Sequence, residues 1–464
     1  MNNGITIISD SREIAPVVQR LRDEGVPVDF YIHGKPYKNS FNGIVPKVSM
    51  EKLRQALKKN DTVFFDMVKT NEHTIDDYKL LKYFGLKTNL PSVFGPIADK
   101  LKKDHRVICG AEWVDSIELD RWKGSKLARK IGLIVPESYN FTSLKQGIKF
   151  LESQPEEKFF VFKLHDNVDL SLTYVQKFPG ELVKKLSGEL PKRLNGDACE
   201  FMLQEVVKNG CEISTEAWFD GDDFVCWSHT LEDKRFMSGF GKAVNPKGKH
   251  LGINTGSASN TVWLKEDTVN GYLCKEIRKL KPYLQAEGYV GCIDLNTIVT
   301  EDGKAHFLEF TARCGYSALY LLFTFIPPGG IGNFLLNGFR FIPQHEYVAS
   351  QVVSIPPYPY LEPNLLRKQA KDVAIDNKLD EPVMKDFWLQ DVYQTEDREI
   401  HCCGADGQIG VMVAGGSTME EAIKQVYQNI EKLRIGADVQ YRVDHLESHT
   451  KRMSKLDKWG INIW

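Results

Sequence analysis

The chain has 464 residues, of which 42% are hydrophobic and 26% charged, and its net charge is −2. This composition is typical of a globular protein of about two to four domains, and it gives no strong electrostatic case for a nucleic-acid partner. No run of about 18 apolar residues is present, and the opening MNNGITIISD lacks the pattern of a secretory signal, so we expect no membrane association.

Nine cysteines are scattered along the chain. None forms a CxxC pair or a zinc-binding spacing. We therefore expect free thiols in a reducing compartment and a cytoplasmic protein. We also expect either a monomer or a small homo-oligomer.

The N-terminal hundred residues alternate between strand and helix patterns. Residues 4–10, 28–34 and 61–67 read as strands, and 11–24 as an amphipathic helix. The alternation predicts a small parallel α/β layer, which we assign to a domain spanning 1–108. The turn SDSRE at its first strand end would either direct a helix N-terminus at an anion or serve as a simple helix cap.

The rest of the chain divides into two predicted domains. Residues 109–345 hold a strand at 158–166, strands joined by the turns KNG and DGDD, a helix at 266–287 and a hairpin, with a lid subdomain at about 125–205. Residues 346–464 combine short strands and glycine turns with the helix STMEEAIKQVYQNIEKLR. Ser417 or Thr418 followed by acidic residues predicts a capped start for that helix.

The hairpin at 288–313 carries an unusual set of polar residues. With Asp302-Gly303 as the centre of the turn, Glu301 faces Lys304 and the facing residues sum to 605. One face then holds Asp294, Asn296, Glu309 and Thr311, and the other holds Ile293, Leu295, Leu308 and Phe310.

Two interpretations fit this polar face. Two nearby carboxylates repel unless a cation or a proton intervenes, and oxygen ligands favour Mg²⁺ or Mn²⁺. Alternatively, the face is simply the solvent-exposed side of an antiparallel hairpin. A slip of one residue in the pairing would break the arrangement.

Six segments, read in order, resemble the ATP-grasp superfamily and most closely the phosphoribosylamine–glycine ligase family. They are LQEVVKNGCEISTEAWFDG, LEDKR, GINTGSAS, STMEEAIKQVY, IGADVQYRVD and the hairpin, which counts as one and consists of GYVGCIDLN and LEFTARCG. The resemblance covers most of residues 110–445. It implies an ATP-grasp fold of mixed α/β and α+β class, with an N-terminal pre-ATP-grasp α/β domain and a small β-rich C-terminal domain.

The resemblance also implies an ATP site. Lys163 would reach the α and β phosphates, and Glu205 would accept from the adenine amino group. Eight residues would contact the nucleotide: Lys163, Glu205, Val206, Val207, Glu212, Asn254, Thr255 and Gly256. Lys163 also fits a strand-end lysine that extends to solvent, and Glu205 an exposed strand residue.

The implied catalytic and metal-binding residues come from the turn LEDKR and the hairpin. Lys234 and Arg235 would line the phosphate side, although they also fit a solvated turn, and Arg313 would hold the carboxylate or acyl phosphate. Mg²⁺ (or Mn²⁺) would be held by three residues: Asp294, Glu309 and Thr311.

Several segments depart from the family pattern. The glycine-rich lid loop is replaced by LHDNVDLSLTYV, and the segment after Arg313 reads GYSALY. We therefore expect a divergent ligase that joins a small carboxylate, such as an amino acid, to an amine. A genuine phosphoribosylamine–glycine ligase and a nucleotide-binding protein without turnover are the alternatives.

Overall fold

The computed structural model describes most of the chain and separates it into two compact units. The first unit comprises Met1–Asp115, Ile213–Asp294 and Thr311–Trp464, and the second comprises Ser116–Glu212 and Leu295–Phe310. The described residues are 4–164, 173–194, 198–236, 254–264, 273–315, 317–356, 358, 369–376 and 381–461.

The strands, in chain order, are β1 (Ile5–Ser9), β2 (Val28–Ile32), β3 (Thr62–Phe65), β4 (Arg106–Ile108), β5 (Ser138–Ser143), β6 (Phe160–Leu164), β7 (Tyr174–Val175), β8 (Ala198–Glu205), β9 (Cys211–Phe219), β10 (Phe224–Arg235), β11 (Asn254–Leu264), β12 (Gly291–Val299), β13 (Ala305–Thr311), β14 (Tyr347–Ser354), β15 (Ala374–Ile375), β16 (Phe387–Leu389), β17 (Val392–Gln394), β18 (Ile400–Cys402) and β19 (Gln408–Gly416).

The α-helices are α1 (Ala15–Asp23), α2 (Met50–Lys59), α3 (Ile75–Tyr83), α4 (Phe94–Leu101), α5 (Glu112–Leu119), α6 (Arg121–Lys130), α7 (Leu144–Glu152), α8 (Glu181–Lys184), α9 (Leu190–Arg193), α10 (Cys274–Arg278), α11 (Lys281–Ala286), α12 (Ala318–Phe325), α13 (Ile331–Leu336), α14 (Glu381–Asp386), α15 (Met419–Glu431) and α16 (His445–Lys458). A 3₁₀ turn at Lys35–Tyr37 and a π-helix at Lys185–Glu189 complete the helical segments.

The N-terminal sheet confirms the predicted parallel layer. Its order is β2-β1-β3-β4, and each neighbouring pair is parallel. Every residue of β1 and β3 is buried, as expected for central strands of a parallel sheet. Because the strands are parallel, their carboxyl ends meet at one edge, which places the residues after β1 beside those after β3.

Antiparallel sheets form the rest of each unit. In the first unit a sheet runs in the order β9-β10-β11-β14-β19-β16, with the start of β12 beside β9, and a small sheet has the order β15-β18-β17. In the second unit β5, β8, β6 and β7 form one sheet over an aromatic core that includes Phe160, Phe162 and Phe201. The remainder of β12 is there the neighbour of β13.

Helix boundaries follow local chemistry. The Thr418 hydroxyl accepts a hydrogen bond from the backbone N–H of Glu421 at 3.1 Å, which confirms the predicted capped start of α15. The helix predicted at 266–287 is two short helices in the described part, and the second has a proline in its first turn. Among the described residues, no helix is long and apolar enough to cross a bilayer.

Candidate functional site

In the second unit, two predicted nucleotide residues lie on adjacent antiparallel strands of one sheet, where Glu205 pairs with Phe160 and Lys163 with Met202. Lys163 on β6 is only 8% exposed, and its Nζ donates to Gln204 Oε1 on the adjacent β8 at 2.9 Å. Glu205 ends β8 and forms an ion pair with Lys158 at 3.3 Å. The contact with Gln204 fixes the position of the Lys163 ammonium group on this sheet.

The connection from β8 to β9 carries the other predicted contacts of the second unit. The backbone N–H of Val206 donates to Phe159 O at 2.8 Å, Val207 follows it, and Glu212 is the second residue of β9. Val206 and Val207 directly follow Glu205 in sequence, and the adenine and ribose roles stay predictions.

In the first unit, the segment LEDKR is part of strand β10 and not a turn. Arg235 ends this strand and pairs with Asn254, the first residue of β11, and Lys234 lies 3.8 Å from Glu232. Thr255 and Gly256 follow in β11, where Gly256 has φ +79, a left-handed conformation that glycine adopts without strain. The predicted phosphate cradle is therefore the start of a strand, and 252–253 lie outside the described residues.

The predicted centre of the metal hairpin's turn is wrong by one residue. The backbone N–H of Gly303 donates to Thr300 O at 2.9 Å, and that of Thr300 donates to Lys304 O at 3.0 Å. Glu301 and Asp302 are thus the central turn residues, with Gly303 at φ +75 in a G1-type bulge. Lys304 therefore faces Thr300 and not Glu301.

Further along β13, the strand departs from a regular pleat. The rings of Phe307 and Phe310 lie 4.7 Å apart between centroids, although residues three apart in a regular strand point to opposite faces. One extra residue between them accounts for the contact. The extra residue would shift the pairing of β12 with β13 by one position, and the displaced turn shifts it by one position in the opposite direction. The shared face of Asp294 and Glu309 therefore stays a prediction.

The donor set suits a magnesium ion shared with a phosphorylated ligand. Asp294 is 7% exposed and accepts a hydrogen bond from the Ser214 hydroxyl, which fixes its carboxylate. No group of three or more His, Cys, Asp or Glu residues able to hold a metal occurs within the described ranges. Mg²⁺ commonly takes only one or two carboxylates and completes its shell with water and phosphate oxygens, so two carboxylates and a hydroxyl fit it.

A cluster of buried charges lies at the carboxyl edge of the N-terminal sheet. We call it the Arg12 cluster. Its members are linked by ion pairs or by mutual electrostatic interaction: Arg12, Glu13, Asp66, Arg313, Asp391 and Asp406. Arg12 follows β1, Asp66 follows β3, and the two C-terminal aspartates approach from the same unit.

Arg12 is the centre of this cluster. It is 1% exposed, and its Nη2 lies 2.5 Å from Asp406 Oδ2 while Nη1 lies 3.4 Å from Glu13 Oε1. The ring of Tyr37 covers the guanidinium at 4.9 Å. A fully buried arginine requires such opposing charge, which here comes from both ends of the chain.

A chain of hydrogen bonds fixes the turn that carries Glu13. The Tyr320 hydroxyl donates to Glu13 O, and Gln390 Nε2 donates to the Tyr320 hydroxyl at 2.7 Å. Gln408 Nε2 donates to Gln390 Oε1 at 2.5 Å, and the Tyr358 hydroxyl donates to Gln408 Oε1 at 2.8 Å. The turn is therefore pre-organised by side chains distant in sequence.

Not every atom in the Arg12 cluster is paired. Within the described part of the chain, Asp66 Oδ1, Glu13 Oε2 and Arg12 Nε are buried without a hydrogen-bond partner. Burial raises the pKa of Asp66 to about 8, against the opposing effects of its bond with Ser9 and the charge of Arg313. Burial also raises the pKa of Asp391, to about 6.

Arg313 is the predicted catalytic residue that the structure brings to this cluster. Its charge interacts with Glu13 and with Asp66. The sequence indicated the turn SDSRE only as a possible anion site or cap, and it missed Asp66, Asp391 and Asp406. The position of Asp66 directly after a strand of a parallel sheet was the one available signal.

A second buried polar group contrasts with the first. In what we call the Asp233 cluster, Asp233 on β10 lies 2.6 Å from Arg452, 3.2 Å from both Arg442 and His449, and within hydrogen-bond distance of Ser259 and Ser448. Burial opposes ionisation, but the bond with His449 and the two arginines outweigh it and hold the pKa of Asp233 well below its usual range. His445 packs on His449.

No family model matches the sequence, and no curated protein matches it. Solved structures do match over almost the full length. Phosphoribosylamine–glycine ligase from Thermotoga maritima has a TM-score of 0.66 and 16% identity, covering 94% of this chain and 98% of the other.

Two further structures share the fold. An ADP complex of N5-carboxyaminoimidazole ribonucleotide synthetase has a TM-score of 0.56 and 12% identity over 92% of this chain and 96% of the other. A β-γ-ATP complex of biotin carboxylase from Campylobacter jejuni has a TM-score of 0.58 and 11% identity over 96% and 98%. These likenesses show that the chain has the ATP-grasp fold.

Proposed function

We propose that the protein is an ATP-dependent carboxylate–amine ligase that forms an amide through an acyl phosphate. The observation that carries the proposal is the full-length likeness to phosphoribosylamine–glycine ligase and to two enzymes solved with ADP or a β-γ-ATP ligand. The likeness spans more than nine-tenths of both chains, so it supports an enzyme of the full ATP-grasp fold and not one nucleotide-binding segment.

The nucleotide would lie against residues of both ATP-binding segments. Lys163 places its charge at the phosphates, Glu205 accepts from the adenine amino group, and Val206 and Val207 form the backbone of the hinge. Glu212 holds the ribose hydroxyls, while Asn254, Thr255 and Gly256 contribute the backbone near the transferred phosphate. Phosphoryl transfer depends on this positioning and on charge neutralisation more than on covalent help.

Asp294, Glu309 and Thr311 would hold Mg²⁺ or Mn²⁺. The ion, when bound, neutralises charge on the phosphates of the nucleotide. The Ser214 hydroxyl fixes the Asp294 carboxylate in place. Arg313, which interacts with Glu13 and Asp66, holds the substrate carboxylate and then its acyl phosphate, with Lys234 and Arg235 on the phosphate side.

The reaction proceeds in two balanced steps. A carboxylate oxygen attacks the γ-phosphorus of ATP, an O–P bond forms, and the bond to the leaving ADP breaks. The amine nitrogen, as the free base, then attacks the acyl carbon, a C–N bond forms, and the C–O bond to phosphate breaks. Phosphate leaves with the electron pair, and the nitrogen gives up its remaining extra proton to solvent.

The proposal is tested by measuring ADP and phosphate release from ATP and Mg²⁺ with panels of carboxylates and amines. We expect release that depends on both substrates. Glu309→Gln removes a metal-binding charge and should lower turnover by about a hundredfold or more. Glu301→Gln, in the exposed turn of the same hairpin, is the matched control and should retain activity. No release with any mixture, or full activity in Glu309→Gln, would contradict the proposal.

A second candidate is a genuine phosphoribosylamine–glycine ligase in the cytoplasm. The TM-score of 0.66 with that enzyme favours it. Incubation with glycine, phosphoribosylamine and ATP tests it directly, since only this candidate expects the glycinamide product from that mixture.

A further inference from the structure

We propose that Glu13 and Asp66 in the Arg12 cluster bind the ammonium group of an amine substrate that carries no phosphate. The inference rests on the proposed ligase function and names the substrate class for it. Such an amine differs from the phosphorylated amine that a phosphoribosylamine–glycine ligase would use.

Unpaired buried acceptors are the first observation. Asp66 is 6% exposed, and its Oδ1 has no hydrogen-bond partner within the described ranges, and neither does Glu13 Oε2. Buried carboxylate oxygens in folded proteins are normally satisfied, so these two acceptors are open to a donor that a ligand brings. A primary ammonium brings three N–H donors to such a site.

The charge of the cluster is the second observation. Four carboxyl groups, those of Glu13, Asp66, Asp391 and Asp406, surround the guanidinium groups of Arg12 and Arg313. Arg12 is already opposed by Asp406 at 2.5 Å and by Glu13 at 3.4 Å. A phosphate would add negative charge to a group already richer in acids, whereas an ammonium would balance it.

The Arg12 N–H without an acceptor indicates a second functional group on the ligand. Arg12 Nε is buried without an acceptor among the described residues. A neutral hydroxyl or carbonyl oxygen on the same substrate would satisfy it without adding charge. The cluster therefore fits an amine with a neutral acceptor a few bonds from the nitrogen.

The location connects the ammonium site to the chemistry. Arg313, proposed to hold the acyl phosphate, interacts with both Glu13 and Asp66. After the bound ammonium passes one proton to a carboxylate, the free amine would be near the acyl group that its nitrogen attacks. Proximity of this kind is a large part of the rate advantage in a two-substrate reaction.

The test compares two probes that differ only in a phosphate group, ethanolamine and O-phosphoethanolamine. Binding to the full chain is measured by titration calorimetry without ATP. We expect ethanolamine to bind about tenfold more tightly or better. Equal or tighter binding of O-phosphoethanolamine would overturn the inference.

Variants connect the binding to the named carboxylates. Glu13→Gln and Asp66→Asn should each weaken ethanolamine binding by about tenfold, since each removes a carboxyl group that can ionise to pair with the ammonium. Glu396→Gln, at an exposed position of the same unit, should not change it. Thermal unfolding of each variant verifies that it is folded, and unchanged ethanolamine affinity in a folded Glu13→Gln and Asp66→Asn double variant would overturn the assignment.

The outcomes separate this inference from the ligase function. Ethanolamine binding without ADP release under any mixture would remove the ligase proposal and leave the ammonium site. ADP release that requires a phosphorylated amine would overturn the ammonium site and leave the ligase proposal.

Discussion

The Asp233 and Asp66 carboxylates, one in each buried cluster of the first unit, differ in how completely their oxygens are paired. Asp233 has two arginines, a histidine and two serines around its carboxylate. Asp66 is as deeply buried, yet one of its oxygens has no hydrogen-bond partner among the described residues. Opposite pKa shifts follow, downward for Asp233 and upward for Asp66.

The difference separates a structural cluster from a binding cluster. The Asp233 cluster connects β10 to α16, and both oxygens of the Asp233 carboxylate are paired without a ligand. The Arg12 cluster is fixed from outside by the Tyr320–Gln390 chain but leaves open donors and acceptors inside. Sites held in an unsatisfied state are typical of function, because folding alone would favour their removal.

The largest expected effect is on the Asp233 cluster. Asp233→Asn removes the carboxylate shared by the buried Arg442 and the partly exposed Arg452, so it should lower the free energy of unfolding by about 3 kcal/mol. Urea denaturation at neutral pH measures this. A loss as small as that of an exposed substitution would show that the cluster is not structural.

The matched substitution in the Arg12 cluster, Asp66→Asn, should not lower the free energy of unfolding. Asp66→Asn removes a carboxylate that burial disfavours, so the free energy of unfolding should be unchanged or higher by about 1 kcal/mol at pH 8. The pKa of Asp66 in the folded protein, about 8, lies above its ordinary value of 3.8. The free energy of unfolding of the wild type therefore falls relative to that of the variant as the pH rises between these two values. Denaturation of both proteins across this range measures the difference, and a marked loss of stability in Asp66→Asn would contradict the comparison.

His449 in the Asp233 cluster predicts a loss of folding stability at acidic pH. Burial, together with the charge of Arg452, lowers the pKa of His449 to about 4, so its folded pKa lies below the ordinary 6.5. Stability from this residue is complete above pH 6.5 and is lost as pH falls toward 4. His449→Gln should therefore flatten the stability profile in that window by about 1.4 kcal/mol per pH unit. An unchanged slope would show that His449 is charged in the folded protein.

The smallest effect concerns one neutral donor. The Ser448 hydroxyl donates to Asp233 Oδ1 at 2.9 Å. Ser448→Ala should lower the free energy of unfolding by about 1 kcal/mol, because Asp233 keeps its charged partners. A loss as large as that expected for Asp233→Asn would show that the serine, and not the arginines, satisfies this carboxylate.

The sequence was sufficient for the features that depend on local pattern. The alternation in residues 4–67 predicted the parallel layer, and the capped start of α15 at Thr418 is confirmed. The ATP-grasp fold, expected from six motifs in order, is also confirmed. Periodicity and capping chemistry act over a few residues, so they can be read without a structure.

Register and long-range pairing could not be read in the same way. Asp302-Gly303 suits both a two-residue turn and a turn with a G1 bulge, and period-two alternation does not choose between them. Likewise, Asp406 meets Arg12 across almost the whole length of the chain, and no local pattern in GADGQ predicts that contact. Such features arise from tertiary packing.

The central claim is that this chain uses ATP to join a carboxylate to an amine, and ADP release measured with both substrates present tests it most directly. We expect ADP formation that requires both a carboxylate and a phosphate-free amine. It should be strongly reduced in Glu309→Gln and retained in Glu301→Gln. ADP formation that is absent from every mixture, or that is indifferent to Glu309, would contradict it.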